Sequence, residues 1–324
     1  MSGATRRGLV SGLLQALPRG AGQVLARPRQ LLTFWLLNLV VAAVLTVPLA
    51  AVLGETLDTH LYGDRMAEGP SWRWYDTVDR THPEVLGDLS AVSELFGPEG
   101  VGLEEMGRLS GVPLAVLAAG LVVFWLNTLL HLGWLSTLAG GRGDARGGLL
   151  ACTARFAVPG SALALGALAS YGVVYVLIYV LGGRLLEPLF EGTETEWVAL
   201  GLLWVRLGVT LLALLGVKLT SDLAKAWMVQ RDSGNVLRAV PAASGTLGRH
   251  GLRYLLGYLL VGAVALGAVA LWWGLPDLGA LTGGLPQSWG GLLIVFLLHQ
   301  LFLVLRIALR LWHLGVTWGL YVRG

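Results

Sequence analysis

Charged residues and cysteine are both scarce in this chain of 324 residues. Only 13% of the residues are charged and 55% are hydrophobic, whereas a soluble domain needs roughly 25% charged residues to cover its surface. The single cysteine, Cys152, excludes an internal disulfide framework and a metal site built from cysteines. Much of the surface therefore faces lipid. The 13 tryptophans agree, because indole rings favour the membrane–water interface.

Acidic residues are absent from six apolar segments, each close to the ~20 residues that cross a bilayer as a helix. These segments lie at about residues 31–53, 113–138, 159–181, 197–217, 255–273 and 291–312. They lack the alternation of polar and apolar positions that a membrane β-barrel requires. The sequence predicts an all-α polytopic membrane protein, with a cytoplasmic basic flank at residues 1–30 and a six-helix transmembrane domain at residues 31–324.

Arginine and lysine concentrate in the flank and in alternate connections, which orients the chain because cytoplasmic segments are enriched in them. The flank has no acidic residue, and the connections at residues 139–158 and 218–254 have an excess of basic residues. The first loop, residues 54–111, has twelve acidic residues and four arginines. This pattern predicts a protein of the bacterial inner membrane with both termini in the cytoplasm and an acidic extracytoplasmic loop.

A short, amphipathic and basic stretch recurs on the predicted cytoplasmic side. Residues 13–17, 149–156 and 236–240 each form such a stretch, followed by a break and then by a span. The recurrence predicts three transmembrane hairpins, each preceded by a short cytoplasmic interfacial helix whose arginines reach anionic lipid headgroups. Chance similarity among leucine-rich segments is the alternative.

Small residues on the third predicted span suggest a surface for helix packing. Ala162, Gly166 and Ser170 recur every four residues, and Ala263 and Gly267 do so on the fifth span. Small side chains at this spacing let helix backbones approach closely in lipid. We therefore expect these faces to be packed.

Ionisable side chains at membrane depth are costly, which makes them candidate functional residues. Arg206 lies nine residues into the fourth span, about 13 Å from its outer end. Its partner could be a backbone carbonyl, water, a lipid phosphate, a bound anion or a carboxylate of another subunit. The sixth span carries polar residues at steps of seven, four, three and four, which share one helix face: His299, Arg306, Arg310, His313 and Thr317.

The stripe on the sixth span also has simpler interpretations. Arg306, Arg310 and His313 could extend to the inner headgroups, and His299 could be a hydrogen-bonded histidine between helices. On the second span, Asn127 and His131 are four residues apart and share a face. Lys218 and Asp222 have the same spacing beyond the fourth span and predict an ion pair. The candidate ligand or partner residues are Arg206, His299, Arg306, Arg310, Asn127, His131 and Asp222.

The sequence contains no recognisable catalytic motif. It has no P-loop and no zinc-protease pattern, and Ser244 falls in a predicted cytoplasmic connection, where it cannot pair with His299. The polar groups at membrane depth are cationic or neutral, which favours a role that meets anions over a cation-coupled carrier. No cofactor, metal or nucleic-acid partner is expected.

One stretch resembles a known family. KLTSDLAKAWMV at residues 218–229, NVLRA at 235–239 and GRH at 248–250 resemble a family of bacterial six-span membrane proteins without a settled function. They are more distantly similar to the membrane domain that accompanies some glycerophosphodiester phosphodiesterases. Leu223 stands where the family has an aromatic residue, and Gln230 where an acid is usual. The resemblance implies a six-span fold and brings no catalytic residues.

Three functions remain open from the sequence. The first is a non-catalytic membrane protein that serves as a subunit or anchor of a larger assembly, with a membrane protein partner and anionic headgroups at its cytoplasmic face. The second is a permease-like or lipid-handling protein with an anionic ligand near Arg206. The third is an unrecognised membrane enzyme.

Overall fold

The computed structural model describes residues 3–58, 112–140, 148–182, 184, 196–274 and 289–323. All regular structure in these ranges is helical, and they contain no strand. Five of the described helices are long and apolar enough to cross a membrane, with candidate spans at Gly120–Leu138, Ala157–Ile178, Leu200–Arg231, Val236–Trp272 and Phe296–Val322. The chain is a helical multi-pass membrane protein, as its composition predicts.

The described α helices are numbered here in chain order. They are α1 (Gly3–Leu25), α2 (Pro28–Asp58), α3 (Val112–Leu138), α4 (Leu149–Arg155), α5 (Ala157–Tyr175), α6 (Glu196–Arg231), α7 (Val236–Gly274) and α8 (Trp289–Arg323). A π-helical segment, Val176–Leu181, continues α5.

Two of the predicted features fall wholly or partly outside the described residues. The predicted first span, residues 31–53, lies in α2, but the side chains of residues 44–58 are outside the described part. It is therefore not one of the five candidate spans. Residues 59–111, which make up most of the predicted acidic loop, also lie outside it.

The predicted connection at residues 218–254 is almost entirely helical. The short helix predicted at residues 236–240 is the beginning of a much longer one. α6 continues to Arg231, and α7 begins at Val236. The turn is closed by two hydrogen bonds, from the Ser233 N–H to the Met228 carbonyl (3.0 Å) and from the Asp232 N–H to the Val229 carbonyl (3.3 Å). These are the two bonds of a Schellman motif, with Asp232 at φ 51° in the position that glycine usually takes.

The start of α7 is capped by a side chain. The Arg238 N–H donates to Asn235 Oδ1 at 3.1 Å, which satisfies one of the backbone donors that a helix start leaves without a partner. Helix ending and helix cap together make a turn of four residues, 232–235. This short turn explains how both helices extend so far beyond the predicted spans.

Helix breaks occur at three places where the sequence places a short helix before a span. α1 ends at Leu25, directly before Ala26 and Arg27, and Phe156 separates α4 from α5. α7 is interrupted at His250, whose φ of −128° and ψ of 18° are not helical. The arrangement of the helices as three hairpins stays a prediction.

Contacts divide the chain into two units, which are described separately. The first comprises Met1–Leu37, Asn127–Leu168 and Leu215–Gly324, and the second comprises Asn38–Leu126 and Ala169–Leu214. The first unit has a continuous apolar core, and its largest fully buried side chains are Trp134, Phe34, Leu132, Leu135, Leu223, Met228, Leu311, Leu314 and Leu320. In the second unit, the ring of Phe124 packs edge-on against Tyr171, with 6.3 Å between the ring centroids.

The α1 helix packs closely on α8 inside the first unit. Leu13, Ala16 and Val24 are buried on one face of α1, and Trp312 Nε1 donates to the Leu17 carbonyl at 2.8 Å. A Cβ atom added to Gly20 would lie 2.9 Å from Trp312 Cδ1 and 3.1 Å from the Val316 nitrogen. Glycine at this position therefore allows the two helices to approach.

The predicted packing face of the third span is wrong. Ala162, Gly166 and Ser170 are exposed in this chain, and so are Ala263 and Gly267. The buried face of α5 consists instead of Gly160, Leu163, Ala164 and Ala167. A Cβ added to Gly160 would collide with the side chains of two leucines of α3, Leu129 and Leu132. The face of α5 that meets α3 is therefore the one on which Gly160 allows close approach, and not the one with the repeat of small residues.

Replacing Gly20 by alanine should destabilise the protein, because the added methyl group meets an indole ring and a backbone nitrogen. Overpacking of this kind costs about 1–3 kcal/mol. Gly22→Ala is the matched control, since no atom lies within 4 Å of its Cβ position and alanine improves helix propensity by about 1 kcal/mol. The measurement is the thermal unfolding of both purified variants in the same detergent. Equal unfolding temperatures for Gly20→Ala and Gly22→Ala would contradict the close packing of α1 on α8.

Candidate functional site

Three charged side chains of α6 form a cluster in the first unit. Lys218, Asp222 and Lys225 are spaced four and three residues apart, so they lie on one face of the helix. Lys218 Nζ forms an ion pair with Asp222 Oδ2, as the sequence predicts, and Lys225 Nζ lies 2.9 Å from Asp222 Oδ1. Each carboxylate oxygen therefore has its own ammonium donor.

The cluster is withdrawn from solvent. The side chain of Asp222 is 0% exposed, that of Lys225 is 4% exposed and that of Lys218 is 25% exposed. Burial of an isolated charge is very costly, and the cost is offset only when opposite charges and hydrogen bonds surround the group. The two lysines supply this compensation to Asp222. The sequence placed this ion pair on a cytoplasmic extension of the helix and did not predict that it would be buried.

His313 of α8 and Tyr258 of α7 complete one side of the cluster. His313 Nδ1 lies 3.9 Å from Asp222 Oδ2, a distance longer than a hydrogen bond. The ring of Tyr258 packs edge-on against His313, with 4.6 Å between centroids and 80° between planes. The cluster consequently joins three helices of the first unit.

His131 of α3 lies within electrostatic range of the cluster. Its ring interacts with the charges of Asp222, Lys218, Lys225 and Arg310, and it stacks on Phe34 with 6.0 Å between centroids. Both His131 and His313 are buried. Within the described residues, neither histidine Nε2 has a hydrogen-bond partner.

The structure brings together three of the seven predicted candidates. Asp222 and His131 belong to the cluster, and Arg310 interacts electrostatically with His131 and His313 although it is exposed. Asn127 is buried one turn before His131 on α3.

Three other candidates lie elsewhere. His299 is exposed and meets the edge of Trp272, with 5.2 Å between centroids. Arg306 is exposed on α8. Arg206 is half-buried in the second unit, where its carbonyl accepts a hydrogen bond from Thr210 Oγ1 at 2.8 Å.

The predicted stripe on α8 is divided by the packing of that helix. His313 and Thr317 are buried, whereas His299, Arg306 and Arg310 are exposed. The division occurs because α1, Tyr258 and Asp222 cover α8 from about His313 to its end. The exposed residues of the stripe lie before this covered part. The stripe is therefore not one continuous site.

Lys225 and Tyr258 were absent from the predicted site. The signal for Lys225 was present in the sequence, because it continues the face of Lys218 and Asp222 by three residues. Tyr258 lies on another helix and had no such signal. Its place depends on the packing of α7 against α8, which no periodicity within one helix reveals.

The chemistry of the cluster is that of a cationic centre. Two ammonium groups face one carboxylate, and Arg310 adds a further positive charge nearby. No three side chains of His, Cys, Asp and Glu are grouped to hold a metal ion within the ranges that the structure describes. The arrangement places an excess of positive charge beside His313 of α8 and can attract an anion.

Comparison with known proteins gives no relative. Neither the models of protein families, nor the curated proteins, nor the solved structures contain a match to this chain.

Replacing Asp222 by asparagine should destabilise the protein by about 3–5 kcal/mol, because it leaves the buried ammonium group of Lys225 and the partly buried one of Lys218 without a counter-charge. Asp232→Asn is the matched control. Asp232 also forms an ion pair, with Arg155, but both side chains are 57% exposed, so its loss should cost less than about 1 kcal/mol. The measurement is the unfolding transition of each variant in one detergent.

A combined variant tests whether charge balance is the cause. Lys218→Met, Asp222→Leu and Lys225→Met together remove all three charges and keep similar volumes. Replacement of a buried ion cluster by apolar residues is often neutral, so this variant should recover most of the stability that Asp222→Asn loses. If Asp222→Asn were no more harmful than Asp232→Asn, the cluster would not be a buried electrostatic unit.

Proposed function

We propose that the protein is a non-catalytic subunit or anchor of a larger assembly in the bacterial inner membrane. It crosses the bilayer six times, has both termini in the cytoplasm and uses its membrane-embedded surface to hold a partner protein. This function extends the coarser finding that the chain is a helical multi-pass membrane protein.

The observation that carries the proposal is the exposure of Arg306. This residue lies in the candidate span Phe296–Val322 and is exposed on α8, next to the exposed side chains of Leu301 and Leu305. An arginine on a lipid-facing surface is costly, and arginines inside spans usually face protein or a water-filled cavity. A partner helix with an acidic or polar group at this level would compensate the charge.

The burial and complete pairing of the Asp222 carboxylate give further support. Both oxygens of the carboxylate are occupied by lysines of the same helix, and the carboxylate is fully buried. A carrier must expose its ligand-binding groups alternately to the two sides of the membrane. A buried carboxylate with both oxygens paired suits a structural role better.

The segments predicted to lie at the membrane surface support attachment to the inner leaflet. Leu14 of α1, Leu150 of α4 and Leu237 of α7 are exposed apolar residues, and exposed arginines accompany them on these helices at Arg19, Arg155 and Arg238. Apolar and basic residues together are typical of helices that lie at an anionic membrane surface. With the excess of arginine in these segments, this favours a cytoplasmic position for them.

Purification of the tagged protein from its native membranes in a mild detergent, followed by mass spectrometry, tests the proposal. We expect a stoichiometric membrane protein partner. Arg306→Leu should release this partner while the variant still folds, because the charge that the partner compensates has gone. Arg206→Leu should be tested in parallel, because Arg206 also lies within a candidate span, Leu200–Arg231.

Arg249→Leu is the control for partner release. Arg249 is also an exposed arginine. Within the candidate span Val236–Trp272 it stands directly before the kink at His250, outside the predicted span at residues 255–273. Its replacement should leave the partner bound. A protein that purifies alone, with or without Arg306, would contradict the assembly function.

A second function is favoured by the excess of positive charge at the cluster. Two lysines and Arg310 outnumber the single carboxylate of Asp222, and the buried Nε2 atoms of His131 and His313 have no described partner. These features suit a lipid-handling protein or permease with an anionic ligand. A lone purified protein that retains an anionic solute, and loses it in Lys218→Met but not in Arg249→Leu, would support this second function.

A further inference from the structure

A groove runs along the C-terminal half of α1, beside the turn into α2. It has a volume of about 460 Å³ and is lined by Arg19, Gly22, Gln23, Ala26 and Arg27. A second, smaller groove shares Arg19 and Gln23 with it and continues onto α8. All of these residues belong to the first unit. The lining of the larger groove is basic and contains no acidic residue.

Arg27 is held in place at one end of the groove. Its guanidinium donates to the carbonyls of Gln23 (3.5 Å) and Thr137 (3.4 Å) and lies over the ring of Trp134, 5.7 Å from the centroid. Arginine has five N–H donors in a planar fork. The two carbonyls take two of them and fix the plane, so the others are oriented before any ligand binds.

Arg19 supplies the second guanidinium group of the groove. Arg19 is exposed and lines both grooves. Gln23 also lines the groove, but its Oε1 is buried and not accessible to a ligand. The groove thus offers guanidinium donors for an anion.

The surface beside the groove is apolar. Leu25 is 79% exposed at the end of α1, and Leu32 and Leu36 are exposed on the first turns of α2. Gly22 has no atom within 4 Å of its Cβ position, so no side chain closes the groove there. A ligand that fits has a phosphate and an apolar part that continues along α2.

We infer that this groove binds the headgroup of an anionic glycerophospholipid of the inner leaflet. The lipid phosphate accepts hydrogen bonds from Arg19 and Arg27, and the acyl chains lie along Leu32 and Leu36. Arg27 favours phosphate because its fork can form two parallel bonds to the phosphate oxygens. This inference rests on the proposed position of α1 at the cytoplasmic membrane surface.

The test is native mass spectrometry of the delipidated full-length protein with added phosphatidylglycerol. We expect Arg19→Gln to weaken lipid binding about fivefold or more, since a basic residue at the membrane surface contributes to anionic lipid binding on that scale. Arg27→Lys should weaken it as well, through loss of the paired hydrogen bonds to phosphate. Arg27→Lys keeps the charge and removes the fork. Arg19 forms no described structural hydrogen bond, so its variant remains informative if Arg27→Lys unfolds.

Arg29→Gln is the matched control. Arg29 is exposed and close in sequence, but it does not line the groove, so its replacement should change binding by less than a factor of two. An equal loss in Arg29→Gln would overturn the inference and show a diffuse attraction to basic charge. Displacement of the lipid by millimolar inorganic phosphate would overturn it in favour of a free-anion site.

The lipid measurement is independent of the proposed assembly function. Lipid affinity is measured on the isolated chain, whereas partner retention is measured on the protein from native membranes. Loss of the partner with unchanged lipid affinity in Arg306→Leu would therefore separate the two functions. Unchanged lipid affinity in Arg19→Gln would overturn the lipid site and leave the assembly function standing.

Discussion

The pairing of the Asp222 carboxylate with the ammonium groups of Lys218 and Lys225 is the interaction on which the first unit depends. A carboxylate with no exposed surface is tolerable only because two ammonium groups from the same helix face it. Since all three charges lie on one helix, α6 arrives at the core with its charges already paired. The neighbouring helices then need to supply only shape and polar contact, which His313 and Tyr258 do.

Close backbone approach has an equally large part in the packing of this unit. Gly20 of α1 lies against α8, and Gly160 of α5 lies against α3. Apolar side chains give little net preference for one another over lipid tails, so helix association in a membrane relies on close packing and polar contacts. The first unit uses both: glycines set the distances between helices, and the Asp222 cluster sets which helix faces meet.

Helix content and the places of the long helices were predictable from the sequence, because a run of some 20 apolar residues without acids has few other stable forms in a membrane. The spacing of Lys218 and Asp222 also predicted their ion pair. Burial of that pair was not predictable, since it depends on α7 and α8, which are distant in sequence. The small-residue repeat at Ala162 and Gly166 gave a wrong prediction for the same reason. Composition indicates which helix faces are able to pack, but the position of the neighbouring helix determines which face is packed.

The contact of α1 with α8 has a consequence for the order of assembly during synthesis. Leu17 and Trp312, which share a hydrogen bond, are 295 residues apart. At a synthesis rate of about 5–20 residues per second, α1 exists for roughly 15–60 s before its binding surface on α8 has been made. During this interval the buried face of α1 has no protein to cover it. The membrane surface can cover this face during the interval. Although α1 is synthesised before the other helices described, it is then one of the last to reach its final position.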